Sequence, residues 1–203
     1  MITIVNYGLG NINAFQSVYK ILNIPYRIAS TKEDLVDSEK LILPGVGSFD
    51  FAMKKLNTSG MRDTIDDLVL NQHVPILGIC VGMQMLVESS GEGIEKGLNW
   101  VPGSVEKFKA AHGSSMRIPH MGWNMVDTID ENPLFAGLHD RSMFYFLHSY
   151  YFEPESDKYV IGTSQYDHEF ACAVNKENIY GVQFHPEKSH WWGVKLLENF
   201  AKI

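Results

Sequence analysis

The segment from Pro75 to Leu86 restricts the fold of this chain more than any other. An apolar, uncharged run, Ile76-Leu77-Gly78-Ile79, leads into Cys80-Val81-Gly82, and Met83-Gln84-Met85-Leu86 continues with helix-forming residues. A short apolar run without alternation reads as a strand covered on both faces, the kind found in parallel sheets sandwiched between helices. The change from strand to helix around one cysteine, in the pattern Gly-x-Cys-x-Gly, is that of a nucleophile elbow with cysteine in place of serine.

The rest of the N-terminal half agrees with a parallel sheet. Ile2 to Asn6, Tyr26 to Ala29, Lys40 to Leu43 and Ile76 to Ile79 are predicted strands, and Ala14 to Leu22 and Thr64 to Leu70 carry apolar residues at helical spacing. This βαβα rhythm predicts an α/β fold with a mostly parallel central sheet flanked by helices, whose chemistry sits at the carboxyl ends of the strands. The glycine-rich turns fall at those ends. Beyond about Trp100 the runs shorten. Phe144 to Phe152, Tyr159 to Thr163, Phe170 to Val174 and Ile179 to Phe184 are read as strands, followed by a helix near Val194 to Ala201. They predict antiparallel additions to the sheet in the C-terminal half. With 203 residues and no internal repeat, low-complexity tract or Pro/Ser-rich linker, one domain spanning 1–203 is expected.

Charge and cysteine content narrow the function classes. A net charge of −7 with only 17 Lys and Arg argues against a surface that tracks phosphates, so small molecules or proteins are the expected partners and nucleic acid is not. The start has no basic region followed by an apolar one, and no stretch approaches eighteen apolar residues, so a cytoplasmic chain without a membrane span is expected. Cys80 and Cys172 are too few for a disulfide framework and are expected to be thiols.

A lone cysteine at a strand end is normally a small buried residue, but the flanking glycines favour a nucleophile. They are expected to let the chain turn sharply and leave the Cys80 sulfur at a helix N-terminus, where thiolate is favoured. The matching base comes from Ile179-Tyr-Gly-Val-Gln-Phe-His185-Pro186-Glu187, in which an apolar strand ends in a histidine with a carboxylate two residues on. His185 would take the thiol proton and return it to the leaving group, and Glu187 would hold the imidazole in its working tautomer. His148, in an aromatic run, is the rival and reads as a packing or backbone-positioning residue. A third strand ends in Pro44-Gly45-Val46-Gly47. Backbone N–H groups of Val46 and Gly47, with that of Val81, are expected to form an oxyanion hole, and the glycines on either side of Val46 would let that turn switch orientation. A hydrolase of the α/β-hydrolase kind shares the elbow, but there the acid precedes the histidine, whereas here it follows within the same turn. A non-catalytic binding subunit is disfavoured because all three triad candidates are present.

Together, Pro44-Gly45-Val46-Gly47, Gly78-Ile-Cys80-Val-Gly82-Met-Gln84 and His185-Pro186-Glu187-Lys188-Ser189 resemble class I, triad-type glutamine amidotransferases over nearly the whole chain, a flavodoxin-like family. More narrowly, Asn6-Tyr7-Gly8-Leu9-Gly10-Asn11, Pro119-His120-Met121-Gly122-Trp123-Asn124 and His148-Ser149-Tyr150 are similar to the glutaminase subunits of imidazole glycerol phosphate synthase, the HisH family. The resemblance implies a Cys80, His185 and Glu187 triad that hydrolyses L-glutamine to glutamate and ammonia without metal or cofactor. It implies that Gly47, Gln84, Ser149 and Tyr150 hold the glutamine α-amino and α-carboxylate groups. It implies a heterodimer with a separate HisF-like (β/α)8 barrel synthase in histidine biosynthesis, facing Asn11, Trp123, Tyr145 and Lys188. Asn6, Val81 and the two tryptophans Trp191 and Trp192 depart from the usual pattern of that family. They leave open a related pair that supplies ammonia to nitrogen-rich surface sugars.

Overall fold

In the computed structural model, residues 1–109, 117–129, 131–138 and 142–203 are described. Strands β1 (Ile2–Val5), β2 (Tyr26–Ala29), β3 (Lys40–Gly45) and β4 (Ile76–Cys80) form the parallel half of the sheet. Helices α1 (Ile12–Ile21), α2 (Phe49–Thr58) and α3 (Arg62–Asp66, prolonged by a π turn over Asp67–Asn71) lie between them in sequence. β1, β3 and β4 are almost wholly buried, which explains their unbroken apolar composition. Helix α2 is absent from the sequence reading although Phe49, Ala52, Met53 and Leu56, at i, i+3, i+4 and i+7, form its buried face.

After the one-turn helix α4 (Val81–Gln84), the strands are β5 (Ser89–Ser90), β6 (Gly103–Lys107), β7 (His120–Thr128), β8 (Ser142–His148), β9 (Tyr150–Pro154), β10 (Val160–Tyr166), β11 (His168–Lys176) and β12 (Ile179–Val182), before α5 (His190–Lys202). The strand order is β2-β1-β3-β4-β12-β11-β10-β7-β8, with β9 pairing β11 and β6, and β5 pairing β6. β12 joins β4 in parallel, while β11, β10, β7 and β8 follow antiparallel. The parallel core with antiparallel additions is therefore as expected. One strand reading is corrected. The run from Phe144 to Phe152 is two strands that part at Ser149, β8 pairing β7 and β9 pairing β6.

This topology sets three chain ends side by side. In the register of β3 with β4, Gly45 stands opposite Cys80, and Val182 of β12 stands opposite Ile79. The turn after β3, the elbow after β4 and the His185 turn after β12 thus share one edge of the parallel sheet, where α/β folds place their ligands. Among the described residues no helix is long and apolar enough to cross a membrane.

Candidate active site

The elbow differs in one respect from the sequence expectation. Cys80 itself, not a glycine, takes the left-handed conformation, with φ 55° and ψ −114°. Such backbone strain in a residue with a side chain persists only where the surroundings enforce it. The glycines do the enforcing through close approach. A Cβ on Gly82 would lie 2.0 Å from the Leu43 carbonyl oxygen, one on Gly78 would lie 2.6 Å from the Gly82 carbonyl oxygen, and one on Gly45 would lie 2.2 Å from the Gly82 nitrogen. Backbone therefore packs on backbone across β3, β4 and α4. Because α4 is a single turn, its dipole is a weaker influence on the sulfur than a long helix would be.

Two polar groups flank the sulfur: Gln183 Nε2 donates to Cys80 Sγ at 3.7 Å, and the thiol donates to the Leu147 carbonyl at 3.9 Å. His185 is buried beside it and its Nδ1 is 2.9 Å from Glu187 Oε1, the two side chains being only 5% and 3% exposed. Burial works against a charged His185, but hydrogen bonding and charge from the Cys80 sulfur and the Glu187 carboxylate outweigh it. They raise the imidazole from its ordinary 6.5 to about 10. The imidazole therefore carries a proton at neutral pH. The sole thiol besides Cys80, Cys172, is fully buried in β11 and its pKa is pushed up by burial, which suits packing rather than chemistry.

A pocket of about 330 Å³ opens over this pair. Its lining brings together Val46, Gly47, Cys80, Val81, Gln84, Ser149, Tyr150, His185 and Lys188 from the sequence reading, with the rival His148 and with Pro119, and adds Glu92 and Leu147. Gln84 Nε2 donates to the Tyr150 carbonyl at 2.9 Å and to Gln183 Oε1 at 3.0 Å. Glu92 Oε2 accepts the Phe49 N–H at 2.7 Å at the start of α2. Neither Glu92 nor Gln183 was singled out in the sequence. Gln183 could have been found from its place two residues before His185 on the same strand end, whereas Glu92 carries no local signal.

The Asn6 to Asn11 motif buttresses the turn after β3. Tyr7 Oη donates to the Pro44 carbonyl at 2.7 Å, burial followed by the nearby Cys80 raises its phenol pKa, and a Cβ on Gly10 would strike the Pro44 ring. Gly47 has φ +86° and open space around its Cα. The conformational freedom expected of the turn therefore belongs to Gly47 alone, because Gly45 is pinned against α4.

Trp123, Tyr145 and Asn11 lie outside the pocket. Trp123 and Tyr145 face each other across β7 and β8, in line with the pairs Met121–Leu147 and Met125–Met143, so one face of this ribbon carries six apolar or aromatic side chains. Met121 is 66% exposed, Trp123 43% and Met125 46%. Trp123 stacks on His190, and Lys188 sits over the Tyr145 ring at 5.7 Å while also lining the pocket. Asn11 is exposed at the start of α1.

Comparison with known proteins gives a consistent picture. The family model "Glutamine amidotransferase class-I" matches residues 10–203. The chain is 53% identical to "Imidazole glycerol phosphate synthase subunit HisH" of Bdellovibrio bacteriovorus and 50% identical to the protein of that name from Leptospira interrogans, in each case over all of both chains. Among solved structures, a glutamine amidotransferase superposes with a TM-score of 0.77 at 18% identity, covering 100% of this chain and 99% of its own. Another glutamine amidotransferase, from Thermotoga maritima, superposes with a TM-score of 0.64 at 19% identity, covering 92% of this chain and 75% of its own. The two structures share the fold, and the two sequence relatives fix the kinship more narrowly. The chain belongs to the class I glutamine amidotransferase family, on its HisH branch.

Proposed function

We propose that this chain, as a single domain, is the glutaminase subunit of a two-subunit synthase. It hydrolyses L-glutamine to glutamate and ammonia and delivers the ammonia to a HisF-like (β/α)8 barrel partner for imidazole glycerol phosphate formation in histidine biosynthesis. The observation that carries the proposal is the strained Cys80 on its elbow, in one pocket with a buried His185 that is paired to Glu187.

In this reading the Cys80 sulfur, its proton held on His185, attacks the side-chain amide carbon of glutamine. The tetrahedral oxyanion is met by backbone N–H groups of Val46 or Gly47 and of Val81. His185 passes its proton to the amide nitrogen, ammonia leaves, and a thioester remains on Cys80. A water that gives its proton to His185 then attacks the thioester, releasing glutamate and restoring the sulfur. Glu187 keeps the imidazole oriented through Nδ1, leaving Nε2 for the sulfur. Gln84, Gly47 and the Ser149–Tyr150 corner surround the α end of the substrate, and the Glu92 carboxylate on the same wall is suited to its α-ammonium group.

The apolar ribbon of β7 and β8 is the proposed docking face, with Asn11, Trp123, Tyr145 and Lys188 at or beside it. A contiguous exposed apolar face is unusual on a chain without a partner. Docking there also has a chemical purpose, since ammonia released into water becomes ammonium and is no longer a nucleophile.

The test is reconstitution with the barrel subunit encoded in the same genome. Glutamine should drive product formation by the pair, Cys80→Ala should abolish glutamine-driven turnover, and ammonium salts should still support the Cys80→Ala pair. Glutaminase activity above a few per cent in Cys80→Ala would remove the nucleophile assignment. A pair that makes no product from glutamine would remove the pathway.

A further inference from the structure

Beside the pocket, two buried histidines lie within hydrogen-bond distance of each other, and the mechanism uses neither. His120 on β7 and His148 on β8 stand opposite in the register, with His120 Nδ1 3.0 Å from His148 Nε2. Each ring nitrogen of this pair has one polar partner. Asn124 Nδ2 is 3.2 Å from His120 Nε2, and His148 Nδ1 is 2.8 Å from the Tyr150 carbonyl oxygen.

The direction of every hydrogen in this chain follows from its two ends. Asn124 Oδ1 accepts the Met125 N–H at 2.9 Å, so the other amide atom is the nitrogen, which also donates to the Gln165 carbonyl at 2.9 Å. His120 Nε2 therefore accepts from Asn124 and its Nδ1 carries the proton. That proton is donated to His148 Nε2, so His148 also carries its proton on Nδ1 and donates it to the Tyr150 carbonyl. Both rings are neutral in this arrangement, in keeping with burial, which lowers His120 to about 4 and His148 to about 3.

Strands β8 and β9 part at Ser149, between the ring of His148 and the carbonyl it holds. The same carbonyl accepts from Gln84 Nε2 at 2.9 Å. The corner that carries Ser149 and Tyr150 into the pocket is thus fixed by two side-chain donors, one of which is oriented by a chain running back to β7.

We propose that Asn124, His120 and His148 form a neutral, one-directional hydrogen-bond relay whose task is to position the Ser149–Tyr150 corner for glutamine, with His148 as a positioning residue rather than a proton carrier. The proposal rests on the glutaminase reading above and adds to it how the substrate-holding corner is held. A corner that is misplaced weakens substrate binding more than it alters the reaction at Cys80. Removing the His148 donor is therefore expected to raise KM for glutamine by about tenfold, the upper range for one lost hydrogen bond, while kcat changes by less than about threefold.

Two measurements test this on the full-length chain with its barrel partner. The first is the nitrogen-15 spectrum of the histidine rings at neutral pH, assigned by loss of signals in His120→Gln and His148→Phe. Neutral rings protonated on Nδ1 are expected for both residues. A proton on Nε2 in either ring, or a charged ring, would overturn the relay, and this result does not depend on enzymatic activity. The second is glutaminase kinetics of His148→Phe and His148→Asn. Phe keeps the packing against the rings of Phe108, Phe146 and Phe170 but has no donor, whereas the Asn amide can reach the Tyr150 carbonyl. The tenfold rise in KM for Phe should be largely reversed in Asn. An unchanged KM in Phe, a fall in kcat as large as the rise in KM, or no recovery in Asn would overturn it. Wild-type protein with the expected tautomers but no glutaminase activity would instead count against the proposed function.

Discussion

Replacing Gly82 by alanine should show how tightly the elbow is built. The added Cβ would lie 2.0 Å from the Leu43 carbonyl oxygen and 3.1 Å from its carbon, and ordinary contact begins near 3.4 Å. Relief requires a separation of about 1.4 Å between β3 and α4 at this point (3.4 − 2.0), and both partners are backbone, so no side-chain rotation can provide it. Overpacking a rigid site costs roughly 1–3 kcal/mol. For a chain of this size, about 2–4 °C of Tm is lost per kcal/mol, so a fall of roughly 2–12 °C is expected in thermal unfolding. The same displacement acts on Cys80 and on the Val81 N–H. Misplacement by about 1 Å can reduce turnover by about 10²-fold. Glutamine-driven turnover should therefore fall about a hundredfold, while ammonium-driven turnover by the pair is retained at temperatures where the variant is folded. A Gly82→Ala protein with Tm within about 1 °C of wild type and kcat/KM within about threefold would refute the claim that close backbone approach holds the nucleophile.

Three further outcomes follow from the site. His185 binds its proton more tightly folded, near 10, than unfolded, near 6.5, so its stabilising effect is complete below about pH 6.5 and is lost as pH rises through about 10. The Tm gap between wild type and His185→Gln should therefore shrink between pH 6.5 and 10, and a gap that widens would contradict the pairing. Gly47→Ala meets no atom but must hold φ +86°, so it should lose little to crowding and instead lose partner-induced activation of glutaminase, by up to about 10²–10³-fold in kcat if the turn supplies the oxyanion donor. Activation seen in wild type only as a lower KM would rule out that role. Trp123→Ala should weaken binding of the barrel partner by about 30-fold or more in calorimetric titration, as expected of a central aromatic anchor. An affinity within about threefold would move the interface elsewhere.

What the sequence determined by itself was whatever depends on neighbours along the chain. The elbow is legible because Gly78, Cys80 and Gly82 are consecutive alternate residues, and the base with its carboxylate because Glu187 follows His185 by two. The parallel half of the sheet is legible because burial on both faces leaves unbroken apolar runs in β1, β3 and β4. Tertiary structure decided what depends on distant backbone. Gly82 is required by the Leu43 carbonyl of β3 and Gly78 by the Gly82 carbonyl above it, and the left-handed residue is Cys80. Glu92 reaches the pocket only because it caps the start of α2, 43 residues earlier in the chain. The break at Ser149 lies inside an aromatic run that reads as one strand, since β-branched and aromatic residues suit either side of a corner. Tyr150 finds donors there on His148 and Gln84, and those donors are aligned by His120 of β7 and by Gln183 just after β12, neither of which is near Ser149 in sequence. Residue type and short spacing thus announced the candidate triad, whereas hydrogen bonds and contacts over long sequence separations fixed the shape of the pocket around it.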